Sequence, residues 1–390
     1  MKTYSVIMLG PRGSGKTVFL ASMYKKLSTQ GKLDFFLKVK GAEKRKRLNH
    51  IYTELAIGEK WPQGTDPSEV SEWEFTCCVQ TKDLSTYDAC KFVYIDYAGG
   101  RITDTYESLE EDEEFNEKIE KADIMLVLLD GQKLCNLMGQ EKSGVVWLNK
   151  DLENMLDVVQ NIQSKPPVKP VHFVISKWDI VKPNYSLREI RDRLLQEESF
   201  ENIVRNRNKA NEPIRLIPVS SVGEGFATLK DDTMIKNVGI SPKPFQVEVP
   251  LACILPDIIQ VQVNELIEKI RREHGKIKKI EIKPELSWKD KLGKLFGSIG
   301  TGVRKIQELL PEEYKFGENV LEDLIEFSQK PARQKEAEAQ KRTEQLRAKQ
   351  QASTDKVVDE QTGLDSVVAS FNSIKHRLDI DFPESDLQVL

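Results

Sequence analysis

The stretch Gly10-Pro11-Arg12-Gly13-Ser14-Gly15-Lys16-Thr17 decides the fold. It follows an apolar run, Tyr4-Ser5-Val6-Ile7-Met8-Leu9, and precedes a helix-like run, Val18-Phe19-Leu20-Ala21-Ser22-Met23-Tyr24. That is G-x-x-x-x-G-K-T between a strand and a helix, the context in which the pattern has a mechanism. Gly10, Gly13 and Gly15 let the backbone curl until its N–H groups converge on phosphate oxygens, with Arg12 and Ser14 inside the same loop. The helix that follows adds the positive end of its dipole. Lys16 then reaches the β- and γ-phosphates, and Thr17 offers its hydroxyl to Mg²⁺. A nucleoside triphosphate site is the expectation, and a plain Gly-rich turn the alternative.

Around this loop, residues 1–275 alternate apolar runs with helical patterns, as an α/β domain with a mainly parallel sheet and helices on both faces requires. Strands are expected at 4–9, 71–80, 90–96, 123–130, 171–176 and 214–219. The run Ile124-Met125-Leu126-Val127-Leu128-Leu129 is almost wholly apolar, as a strand covered on both faces must be. Helices are expected at 15–30, 104–121, 143–163, 186–209 and 256–275, with Gly31 ending the first and Pro166, Pro167 and Pro170 ending another.

Beyond Gly275 the character changes. Residues 276–330 carry a basic stretch and then Trp288, Leu292, Leu295, Phe296, Ile299, Val303 and Ile306 at helical spacing. That stripe reads as a helix packed on the preceding domain, as a groove-binding or self-associating helix, or as a peripheral membrane-surface helix with Lys289, Lys291, Lys294 and Arg304 near the headgroups. Residues 331–390 form a charged tail. Within it, 331–352 reads as an exposed helix or partly disordered linker, and 364–378 as a short amphipathic element.

The bulk properties exclude several classes. The net charge is −4 with 31% charged residues, so no basic field points to nucleic acid. The five cysteines have no C-x-x-C spacing and the four histidines no H-x-x-x-H pair, which argues against a zinc enzyme. Reduced thiols in a cytoplasmic protein are the expectation. No apolar run approaches about 18 residues, so no transmembrane helix is expected.

Three further motifs extend the site. Phe92-Val93-Tyr94-Ile95-Asp96-Tyr97-Ala98-Gly99-Gly100 is an apolar strand ending in D-x-x-G. A carboxylate at that tip, Asp96, can hold Mg²⁺ through a water, and Gly99 lets a backbone N–H approach the γ-phosphate. Loss of that phosphate frees the loop behind it. Val174-Ile175-Ser176-Lys177-Trp178-Asp179 ends another strand. The Asp179 carboxylate can accept from N1–H and N2–H₂ of guanine, a donor pair that adenine lacks, while the Lys177 stem lies on the base. Leu216-Ile217-Pro218-Val219-Ser220-Ser221-Val222-Gly223 ends in a small-residue loop that can present the Ser221 N–H to guanine O6.

These four elements, in this order, resemble the GTPases of the translation-factor-related class, the group that includes Ras-like proteins. Three more segments resemble the bacterial double-GTPase family of predicted conflict and phage-defence systems. They are Gly58-Glu59-Lys60-Trp61-Pro62-Gln63-Gly64-Thr65, Asp96-Tyr97-Ala98-Gly99-Gly100 and Gly239-Ile240-Ser241-Pro242-Lys243-Pro244-Phe245-Gln246-Val247-Glu248-Val249-Pro250-Leu251. The resemblance covers about residues 1–270. It implies GTP or GDP as ligand, Mg²⁺ as cofactor, and a switch threonine at Thr65 that completes the Mg²⁺ shell with Thr17 and Asp96. It also implies loops near Thr65 and Gly99 that report nucleotide state to a protein partner or to the C-terminal extension.

The pattern departs from the Ras-like one in two places. The first position of S-K-W-D, usually Asn or Thr, is Ser176, so local bracing should be weaker. The glutamine that orients the attacking water in Ras-like proteins is replaced by Gly100, which cannot position water, so hydrolysis should be slow without a partner. Arg12, beside the β–γ bridge, and Arg101, folding back from the second switch, are the candidate catalytic cations, together with Lys16, Thr65 and Gly99. Two other readings stand beside the switch: a GTP-dependent assembly scaffold with negligible hydrolysis, and an ATPase of the same fold. Homo-oligomerisation fits either the switch or the scaffold.

Overall fold

The computed structural model describes residues 1–31, 33–63, 70–97, 113–163, 169–210, 212–230, 233–274, 299–311, 315–317, 320–322 and 336–388. Its centre is a seven-stranded sheet built from β1 (Lys2–Leu9), β2 (Phe36–Val39), β3 (Val70–Gln80), β4 (Thr86–Tyr97), β5 (Ile124–Asp130), β6 (Val171–Ser176) and β7 (Ile214–Pro218). The strand order is β2-β3-β4-β1-β5-β6-β7. Pairings from β4 through β1 and β5 to β7 are parallel, and β2–β3–β4 is antiparallel. This is the expected α/β architecture with a mainly parallel sheet.

The pleat sends alternate side chains to opposite faces. Val6 and Met8 join one core with Leu126 and Leu128, while Ile7 and Leu9 join the other with Met125, Val127 and Leu129. Every residue of β5 and β6 is buried, which is why they read as continuous apolar runs.

The first face is covered by α1 (Lys16–Leu27) and by elements from the C-terminal part of the chain. The second is covered by α3 (Glu113–Lys121), α4 (Gly131–Met138), α5 (Lys142–Trp147), α6 (Glu153–Gln163), α7 (Trp178–Val181), α8 (Leu187–Leu194) and α9 (Glu198–Ala210). A π-helical turn at Leu148–Leu152 joins α5 to α6, where one continuous helix was expected. Among the described elements, β2, α2 (Ala42–Ile57), α4, α7 and the hairpin of β8 (Ala227–Lys230) and β9 (Thr233–Lys236) have no counterpart among the expected ones. In α2 the run Glu43-Lys44-Arg45-Lys46-Arg47 masks a narrow buried stripe of Leu48, Ile51 and Leu55.

On the first face, α10 (Val249–His274) and α11 (Ile299–Leu309) pack against each other. Val303, Ile306 and Leu310 are buried there, which is the packed-helix arrangement. Trp288, Leu292, Leu295 and Phe296 lie outside the described residues. Residues 336–354 form a helix that is mainly exposed, one of the two arrangements expected there, whereas the segment after it is packed and not a short element with a polar tail. Helix α12 (Glu336–Thr354) buries one stripe, Leu346, Gln350 and Thr354, and Gln350 donates to Asp34 at 2.6 Å. Helix α13 (Glu360–Asp381) starts at a capping box of Asp359 and Thr362 and lies on the sheet. The ring of Phe371 meets those of Phe35 at 5.2 Å and Phe92 at 6.1 Å. Its polarity is misleading because Ser366, Ser370, Asn372, Ser373 and His376 are buried too. Beyond it, Leu387 N–H donates to the Ile214 carbonyl at 3.1 Å, covering the β7 edge.

A buried charge cluster joins this segment to the sheet. Arg215 holds Asp257 with two hydrogen bonds and reaches Asp379 at 3.3 Å, while the His172 ring meets Asp257 at 2.8 Å. Burial alone would raise the Asp257 carboxyl, but the Arg215 guanidinium and His172 more than offset it and hold it well below the usual carboxylate range.

Candidate functional site

The carboxyl ends of the parallel strands open into a cavity of about 490 Å³. It lies where strand order reverses about β1, the place such sheets offer for ligands. Its floor is the loop between β1 and α1. Gly13 and Gly15 have φ of 84° and 88°, which only glycine adopts without strain. Gly10 is needed for another reason: a Cβ there would stand 2.8 Å from Ser14 Oγ and 3.1 Å from Leu128 Cβ. Lys16 is buried and its Nζ donates to the Gly10 carbonyl at 2.6 Å. Burial lowers its pKa, against the raising effect of Asp96. Arg12 lines the same cavity and is exposed.

Asp96 is carried by the tip of β4, in register with Met8 of β1. The Thr17 hydroxyl donates to Asp96 Oδ2 at 3.5 Å. These are hard oxygen donors, as Mg²⁺ prefers, and a hydroxyl beside a carboxylate leaves most of an octahedral shell to phosphate and water. Among the described residues no group of three or more His, Cys, Asp or Glu could hold a metal by itself. The donor set therefore fits Mg²⁺ bound together with a phosphate.

The opposite wall comes from the ends of β6 and β7. Ser176, Lys177, Asp179, Ser221 and Val222 line it. Ser176 Oγ donates to the Leu129 carbonyl at 3.2 Å, so the small residue ties β6 to β5. Lys177 is left-handed, with φ 53°, and its Nζ bonds Asp130 Oδ2 at 2.7 Å. Asp179 is 8% exposed. Its Oδ1 accepts from the Ser220 hydroxyl at 2.5 Å, while its Oδ2 is buried with no hydrogen-bond partner. Burial pushes this carboxyl up, and the Ser220 hydrogen bond works the other way. Ser220 Oγ also accepts from Gly223 N–H at 2.7 Å.

The segment 239–251 braces this loop. Ser220 and Phe245 exchange backbone hydrogen bonds of 3.0 and 2.8 Å, and Lys243 N–H donates to Val222 O at 2.7 Å. At Gly223, φ is 80° and a Cβ would stand 2.0 Å from the Lys243 carbonyl.

The structure thus brings Gly10, Arg12, Gly13, Ser14, Gly15, Lys16, Thr17 and Asp96 to one end of the site. Ser176, Lys177, Asp179, Ser220 and Ser221 stand at the other. Thr65, Gly99 and Arg101 lie outside the described residues. Sequence reading missed Asp130 and Gln132, and also Trp61, Pro62, Gln63, Thr233 and Met234, which line the cavity. Asp130 had a signal, since an apolar strand ends in Asp130-Gly131, and a Cβ at Gly131 would stand 2.3 Å from the Ser176 carbonyl. The five cysteines are free thiols, four of them buried. No helix among the described residues is long and apolar enough to cross a membrane.

The model of the family described as Double-GTPase 1 (DO-GTPase1) matches residues 7–241. No curated protein matches the chain. The matched region includes the phosphate loop, Asp96, Asp179 and the Ser220–Gly223 loop, and ends within the bracing segment 239–251.

Proposed function

The chain belongs to the double-GTPase family, and from that premise we propose that it is a Mg²⁺-dependent, slowly hydrolysing GTP switch working through the cavity between residues 10–17 and Asp179. The observation that carries this reading is the Asp179 carboxylate. One oxygen is fixed by Ser220 and the other is buried beside the cavity without a partner. A buried acceptor of this kind is costly unless something donates to it. Guanine presents two donors on one edge, and adenine does not.

The roles follow from position. The amides and helix dipole at residues 10–17 hold the phosphates, and Lys16 neutralises the β- and γ-oxygens. Thr17 and Asp96 would hold Mg²⁺, which when bound spreads the charge of the phosphate oxygens. Asp130 fixes Lys177, whose stem lies along the base. Thr65 and Gly99 sense the γ-phosphate, and the state of their loops passes to a protein partner, in a bacterial conflict or defence setting of the kind the family resemblance implies. Gly100 offers no group to orient water, so turnover is slow unless Arg12, Arg101 or a partner residue stabilises the transferring phosphoryl group.

Calorimetry with Mg²⁺ tests the core of this reading. GDP and GTP should bind the folded chain with at least about 100-fold preference over ATP, the scale set by a site whose buried polar groups the wrong ligand leaves unpaired. Equal heats with ATP would refute guanine selection.

A further inference from the structure

The β8–β9 hairpin follows the Ser220–Gly223 loop directly in sequence and folds onto the end of α2. Lys236, the last residue of β9, is the fastening point. Its Nζ lies 2.9 Å from the Glu54 carbonyl, 3.0 Å from Leu55, 2.9 Å from Gly58 and 2.7 Å from Lys60. An ammonium has three N–H donors, so the four carbonyls share them. Glu54 and Leu55 lie in the last turn of α2, where the Glu54 carbonyl also accepts the Gly58 N–H at 2.9 Å, and Gly58 and Lys60 follow just past its end, so the ammonium sits at the negative end of the helix dipole.

The same hairpin holds Trp61. The indole N–H donates to the Met234 carbonyl at 2.6 Å, its ring meets Phe226 edge-on at 6.1 Å, and Lys236 stands 5.3 Å from the ring centre. Beneath lies a small separate core of Leu55, Val222, Phe226 and Ala227, with Val18, Tyr52, Trp61 and Met234 packed against it. Val18 follows the phosphate-loop threonine directly, and Val222 belongs to the loop that fixes Asp179. This core therefore touches both ends of the nucleotide cavity, and Trp61 and Met234 line that cavity themselves.

We propose that Lys236 is a positioning residue for nucleotide binding: it pins the hairpin to the end of α2 so that Trp61 and Met234 stand as a side wall of the guanine-nucleotide cavity. Occupation of the cavity and docking of the hairpin then stabilise each other, because each orders the small core they share. The proposal rests on the guanine-nucleotide reading of the cavity.

The test compares GDP affinity, tryptophan emission and hydrogen exchange in the full chain. Lys236→Met keeps the stem over Trp61 but removes the donors. It should weaken GDP about tenfold, within the usual range of coupling between sites, and Lys236→Arg should recover most of that loss. Adding GDP should change the emission of the wild type and not that of Trp61→Phe. In the wild type, GDP should slow amide exchange at residues 54–61 and 226–237 as well as at 10–20, a readout that needs no variant to fold. GDP affinity within twofold of wild type in Lys236→Met, or protection confined to residues 10–20 and 176–179, would overturn the proposal. A wild type that binds no GDP would instead fail the nucleotide reading beneath it.

Discussion

Lys177 is clamped by Asp130: the ammonium meets one carboxylate oxygen at 2.7 Å while the other accepts the Gln132 N–H at 2.9 Å. One acidic side chain at the end of β5 thus starts α4 and fixes the lysine that flanks the base pocket. Asp130→Ala should remove both. The lost helix cap costs about 1 kcal/mol of stability, and the released Lys177 should weaken GDP binding about tenfold, a loss of roughly 1.4 kcal/mol. Chemical unfolding and fluorescent-nucleotide titration measure the two effects separately.

Asp179→Asn exchanges an acceptor pair for one acceptor and one donor. GTP should lose at least about 100-fold in affinity, the scale set when a buried polar pair is mismatched. Xanthosine triphosphate, whose ring offers a matching carbonyl, should gain. Competition between the two nucleotides on the variant reads the switch directly. Unchanged preference would remove Asp179 from base recognition.

Arg12 is exposed and lines the cavity within the phosphate loop. An arginine that stabilises the transferring phosphoryl group contributes about 10³–10⁵ in rate when supplied by a partner. Arg12→Ala should lower single-turnover hydrolysis at least about tenfold and leave GTP affinity close to wild type. An unchanged rate assigns Arg12 to the surface.

Glu212 carries a pH dependence of its own. Burial pushes its carboxyl up from 4.5 to about 7, with Arg207 acting in the opposite direction and Glu265 adding to the rise. The folded chain holds this proton more tightly than the unfolded one. The contribution to stability is therefore full below about pH 4.5 and is lost as the pH rises through about 7. Glu212→Gln removes the titration, so its gain in melting temperature over wild type should be larger at pH 8 than at pH 5. Equal gains at both values would place the proton elsewhere.

Much of the fold was legible because local spacing encodes it. The phosphate loop needs positive φ at Gly13 and Gly15, and only the glycines themselves allow that. Strands β5 and β6 are buried on both faces, so they run almost wholly apolar, with His172 the interior exception, partnered by Asp257. Other parts were illegible because their cause is distant. Trp61 and Met234 are joined by one hydrogen bond across 173 positions, and although Trp61 stands in a family-like segment, nothing local tells that it meets Met234. Lys236 is an ordinary surface residue until α2 turns its carbonyls toward it. In α13 the serines and His376 hid a helix that is buried nearly all round. Asp179 and Ser220 stood in recognisable motifs, but their mutual 2.5 Å contact joins two loops that only the sheet brings side by side.

The edge-on meeting of Phe371 with Phe35 has a practical outcome for protein production. Trimming the gene after residue 275, to isolate the nucleotide-handling half, would strip Val367, Val368 and Phe371 from the aromatic rings of β4 and its neighbours. It would also undress the outer rim of β7. Such a shortened chain should come out of cells sticky and prone to clumping, so enzymology belongs on the untrimmed polypeptide.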